Sequence, residues 1–188
     1  MVSSRLTVAA LTAVVVAGGL LANHAERAWP ATRPFVTQGA PGDTVPLEPG
    51  TVTVHGARAA RTLDDGYGGE LTTAGVWVAV DLSVSGTEKP LRVGRFSLVD
   101  DDGRAFDATR RLSPNHPGAA QPGSPIRTEI VFEIPEDALG GLALRASELS
   151  VPQLSAVAEV PVPVGPVDDT PLAPRAATLE EPAEGDLR

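Results

Sequence analysis

The 188-residue chain contains no cysteine. That excludes disulfides, thiolate metal sites, thiol nucleophiles and a lipid-modified cysteine near the amino terminus. Lysine occurs once, at Lys89, and methionine once, at Met1. With His24, His55 and His116 scattered along the chain, the ligands for a metal cluster or for copper traffic are lacking, and no metal and no cofactor is expected. Aromatic residues make up only 4%, so a core must be built from aliphatic side chains. Positive charge is short as well: the net charge of −9 divides as +2 over residues 1–42, −7 over 43–164 and −4 over 165–188. An acidic surface repels phosphate backbones, which argues against nucleic-acid binding. No Gly-x-Ser-x-Gly elbow is present and no serine has assignable His and Asp partners, so an enzyme is not expected; a hydrolase with an unrecognised site at Asp107 or His116 is the remaining enzymatic alternative.

What the chain does have begins at its amino terminus. Residues 6–22 are seventeen in number, uncharged, interrupted only by Thr7 and Thr12, and preceded by Arg5. As a helix they rise about 26 Å, near the lower limit for a hydrocarbon core of about 30 Å. The helix can extend to Ala28 before Pro30 stops it, with Trp29 placed as an interfacial anchor. Cleavage after Ala22 would put Leu20 at −3, and cleavage after Ala25 would put Asn23 there, both poor for a signal peptidase. Residues 1–29 are therefore expected to be an uncleaved membrane anchor, with a cleaved signal as the alternative. The positive charge before the segment favours a cytoplasmic amino terminus and a single-pass protein of the cell membrane whose carboxyl-terminal domain is extracytoplasmic.

Residues 30–50 carry five prolines, which lack the amide donor that helices and central strands need; they read as a stalk, with 44–48 as an edge strand. Residues 51–164 carry the strand signals. Val76, Val78, Val80, Leu82 and Val84 alternate with Trp77, Ala79, Asp81, Ser83 and Ser85, and the period of two puts the aliphatic set on one face. Ile126, Thr128, Ile130, Phe132 and Ile134 alternate in the same way until Pro135 ends the run. Weaker strand runs are 51–62, 96–100, 104–108, 142–149 and 156–164. Only residues 135–139 read as a helical turn. Short strands joined by turns imply an all-β domain, an immunoglobulin-like β-sandwich of seven to eight strands preceded by one amino-terminal transmembrane helix, with a barrel as second choice. Residues 165–188 have too few large apolar side chains to offset the entropy of ordering, and read as a disordered acidic tail.

The run Asp100-Asp101-Asp102-Gly103 invites a calcium reading. With Gly103 at the sixth position of a helix-loop-helix site, Leu98 falls at the first and Thr109 at the twelfth, and neither is a ligand there. A three-residue turn, with Gly103 in the left-handed conformation, instead pairs Asp100 with Arg104 and Leu98 with Phe106.

Three pieces in order, Gly75-Val-Trp-Val-Ala-Val-Asp-Leu-Ser-Val-Ser-Gly, the 96–107 hairpin, and Pro122-Gly followed by Thr128-Glu-Ile-Val-Phe-Glu-Ile-Pro, resemble bacterial domains of unknown function with the telokin-like, extracellular immunoglobulin-like fold. The resemblance spans about residues 51–146 and implies fold and location; it carries no catalytic residues. This chain departs from many such proteins in having Ser85-Gly86 after its first long strand and in lacking a lipidation cysteine.

Residues 109–125, Thr-Arg-Arg-Leu-Ser-Pro-Asn-His-Pro-Gly-Ala-Ala-Gln-Pro-Gly-Ser-Pro, are long for a connection inside a sandwich. A plain crossover is one reading. A partner-binding loop is the other, with Arg110, Arg111 and His116 as the groups that meet an acidic partner. Trp77 faces away from the core stripe, where it would either belong to a contact surface or be covered by stalk or tail. The functional expectation is a non-enzymatic, membrane-tethered module making protein or cell-envelope contacts; the alternative is a secreted carrier of a small ligand.

Overall fold

The computed structural model of the protein describes residues 3–28 and 33–180, and within helix α1 (Ser3–Ala28) the side chains of Val8, residues 11–21 and His24. The chain divides into two units, Met1–Arg33 and Pro34–Arg188. In the first, α1 covers the uncharged segment. Among the described residues no helix is long and apolar enough to cross a membrane, so the expected transmembrane helix is not supported. Trp29 lies outside the described residues.

In the second unit, the seven runs expected as strands are strands: β3 (Gly50–Asp64), β4 (Glu70–Gly86), β6 (Arg95–Val99), β7 (Ala105–Asp107), β9 (Ile126–Ile134), β10 (Ala143–Ser147) and β11 (Ala156–Pro161). Six more join them: β2 (Thr44–Leu47), which is the edge strand expected at 44–48, and β1 (Phe35–Gln38), β5 (Leu91–Arg92), β8 (Ala119–Ala120), β12 (Val164–Asp168) and β13 (Thr178–Leu179), which were not expected. The count therefore exceeds the expected seven to eight, because segments read as stalk, loop and tail also pair. Residues 135–139 hold a short 3-10 helix, Glu136–Ala138.

One sheet runs β1-β11-β10-β6-β7 and the other β12-β3-β4-β9-β13, with β2 also on β3; β5 and β8 form a separate ribbon. The two alternating runs pair with each other antiparallel, Val76 opposite Ile134 and Val84 opposite Ile126. Their aliphatic faces meet Phe96, Leu98, Leu144 and Val160 of the other sheet in one core. Burying each such side chain is worth about 1.5–3 kcal/mol, which is how an aromatic-poor chain closes a sandwich.

Two boundaries differ from expectation. The stalk ends earlier: Val45 and Leu47 are 2% and 0% exposed in the core, and β1 lies parallel on β11. Pro46 is tolerated because β2 is an outer strand. The tail is also ordered up to residue 180, where the description ends. Strand β12 pairs with β3, Leu172 bonds back to Thr62 and Asp64, and β13 pairs with β9. Composition counted the tail's own apolar side chains; it could not register that the sheet leaves two strand edges whose amides and carbonyls need partners.

Candidate functional site

On the side away from β4, strand β9 is paired over only part of its length, by the two-residue β13. Its backbone groups are taken in order by the carboxyl-terminal segment and by the 109–125 loop. Glu180 N–H donates to Pro125 C=O at 2.8 Å, Glu129 N–H donates to Arg175 C=O at 3.2 Å, and Thr109 N–H donates to Val131 C=O at 2.8 Å. Asn115 completes the last contact, its side-chain amide meeting both backbone groups of Val131. The loop is thus fixed along the sheet.

That fixing opens a cleft of about 500 Å³ beside the loop. Arg92 and Arg95 reach it from the β5 and β6 side, Arg110 and His116 from the loop, with Leu112 and Pro114 as apolar lining. No carboxylate stands among the described residues that line it. Arg95 Nε donates to Asp107 Oδ1 at 2.7 Å, and the backbone N–H of Gly118 donates to His116 Nδ1 at 3.2 Å. Of the three expected loop residues, Arg110 and His116 therefore share one cleft.

Arg111 does not join them. It turns to the outer face of the β3-β4-β9 sheet, where its guanidinium stacks 5.0 Å from the centroid of Trp77 and donates to Thr72 C=O at 3.0 Å. Trp77 itself is 0% exposed. It packs with Leu63, Val131 and Leu172, against Leu71 and Leu112, and its indole N–H donates to Leu71 C=O at 3.1 Å. Tail and loop cover it together, and Arg111 serves this cover by a cation–π contact.

Beyond that apolar patch the same face becomes charged. Arg58 grips Glu129 with two bonds of 3.0 and 2.8 Å, and Arg175 N–H donates to the same carboxylate at 2.6 Å. Arg127 grips Asp81 at 2.9 and 2.8 Å; this hydrogen bonding outweighs burial and holds the Asp81 carboxyl below the usual aspartate range, helped by the charges of Arg127, Arg175 and His55. Ser83 lies between His55 and Glu180 at 2.7 Å from each. This order is not a nucleophile relay, since Ser83 gives its proton to a carboxylate and the imidazole Nε2 meets the serine rather than an acid.

In the 96–107 hairpin, Leu98 lies opposite Phe106 and Gly103 takes φ +79°, as the turn requires. Both Asp100 carboxylate oxygens are committed to Arg104, at 2.8 Å from its N–H and 2.6 Å from its Nε. Burial pushes the Asp100 carboxyl up, and the Arg104 contacts more than reverse it, leaving the group below its ordinary value.

Sequence reasoning missed Arg92 and Arg95. A signal existed: residues 89–99 and 108–119 are acid-free basic stretches in an acidic chain. Nothing in the sequence says that the two stretches meet. Compared with family models, with curated proteins and with solved structures, the chain finds no match.

Proposed function

We propose that the protein is a non-enzymatic extracytoplasmic contact module: an immunoglobulin-like sandwich, tethered to the cell membrane as a single-pass protein by its amino-terminal segment, that presents the 109–125 loop to protein or cell-envelope partners. The observation that carries this reading is the cleft. Three arginines and His116 line it without a carboxylate, in a chain whose net charge is −9. A loop held by side-chain bonds to β9 presents these groups in one arrangement, which lowers the entropic cost of binding. The tether draws on the uncharged residues 6–22 and on the exposed large aliphatic side chains among the described ones of α1, such as Val14, Val15 and Leu21; apolar surface of this kind calls for lipid or protein contact.

Crosslinking and pulldown with the full chain, wild type against Arg110→Ala, tests the contact site: a partner lost in the variant is expected, and a partner set indifferent to it would remove the loop from the proposal. Fractionation with a carboxyl-terminal tag tests the tether, which release of a shortened chain into the medium would sink. The secreted-carrier alternative keeps one specific observation, a cleft volume within the roughly 300–1,000 Å³ of small-molecule sites; a small molecule co-purifying with a shortened chain would favour it.

A further inference from the structure

Eight arginines of the sandwich pair with a carboxylate. From Arg58 onward, Arg92 and Arg110 are the two described arginines that have no carboxylate partner among the described residues. They come from segments far apart in sequence, and both line the same cleft. They stand so in a chain with 24 acidic residues against 15 basic ones.

Resting on the reading of this cleft as a contact site, we propose that its ligand is an acidic peptide segment whose carboxylates seat on Arg92 and Arg110. A guanidinium presents a planar fork of donors that matches a carboxylate bidentately. Of the arginines lining the cleft, Arg95 already meets a carboxylate of the chain through one bond, its Nε to Asp107 Oδ1 at 2.7 Å. A phosphate polymer would use the same cations, but it has nothing to place against Leu112 and Pro114, which line the cleft beside them. A peptide supplies carboxylates and apolar side chains in alternation. The protein's overall negative charge opposes any polyanion at long range, so binding must come from local contacts that persist once salt has shortened the Debye length to about 10 Å.

The test titrates the full chain, in detergent at about 0.1 M salt, with poly-L-glutamate, with polyphosphate and with inorganic phosphate. Wild type should bind polyglutamate. The Arg92→Ala/Arg110→Ala double variant should bind it at least tenfold more weakly, the Arg92→Lys/Arg110→Lys variant should recover only part of the loss because an ammonium restores the charge but not the bidentate fork, and Arg61→Ala, a surface pair outside the cleft, should match wild type. An unchanged thermal midpoint in the double variant is expected, because neither side chain holds another residue. Polyglutamate binding that ignores the double variant, or binding of polyphosphate alone, overturns the proposal. If a cellular partner is captured by wild type and lost in the double variant while polyglutamate fails to bind, the contact module stands and the acidic-peptide class falls.

Discussion

Asn115 meets Val131 at both of its backbone polar groups: Val131 N–H donates to Asn115 Oδ1 at 2.9 Å, and Asn115 Nδ2 donates to Val131 C=O at 2.9 Å and to Thr109 C=O at 3.0 Å. One side chain stands in for a residue of a neighbouring strand. It closes the β9 edge and sets the loop that forms the cationic cleft.

Asn115→Ala should therefore cost about 2 kcal/mol, since the buried Val131 N–H loses its acceptor while Val131 C=O keeps the Thr109 N–H. Denaturant unfolding measures the loss. Hydrogen exchange at the Val131 amide should accelerate, and exchange unchanged there would show that the loop is held by other means.

Truncation after Asp169 removes Leu172, which is 2% exposed in the Trp77 cluster, together with Arg175 and β13. A loss of at least about 3 kcal/mol is expected from the apolar contact and vacated strand edge combined. Trp77 fluorescence should shift to the red, and size-exclusion chromatography should reveal association through the uncovered edge. A monodisperse truncated protein with unchanged emission would contradict this role for the tail.

Asp81 makes stability depend on pH with a definite sign. Its folded carboxyl titrates below its unfolded value, chiefly through the Arg127 hydrogen bonds. The stabilisation is complete above the ordinary aspartate value of about 4 and is lost as pH falls through the lower folded value. Thermal midpoints measured from pH 6 to pH 2 should fall less steeply for Asp81→Asn than for wild type; parallel curves would rule the group out as a contributor.

Gly103→Ala places a Cβ at φ +79° and should cost about 1 kcal/mol, or roughly 2–4 °C in Tm for a domain of this size. Calcium should leave the Tm of wild type where it is, because both Asp100 oxygens are held by Arg104. A calcium-dependent rise would restore the metal reading of the three aspartates.

Much of the sandwich was legible from local pattern. The faces of 76–84 and 126–134 follow from a period of two, and the hairpin at Gly103 follows from turn chemistry, because both are decided by residues adjacent in the chain. Trp77 was legible as facing away from the core stripe, while the side chains that cover it, Leu112 and Leu172, were not, since neither segment carries a strand pattern. Arg110 and His116 stood out in a long loop, but their neighbour Arg111 gave no sign that it would turn to the opposite side and stack on an indole.

By itself, then, the sequence determined an all-β domain, the inward faces of its main strands, and the shortage of cysteine and aromatic residues within which the core had to be built. Only the tertiary structure decided that residues 164–180 belong to the sheet and that Arg92 and Arg110 share a cleft free of carboxylates. The reason is physical. Side-chain alternation is a property of neighbours, whereas the need to satisfy a strand edge, and the failure of an arginine to find a carboxylate, depend on what distant segments bring beside it.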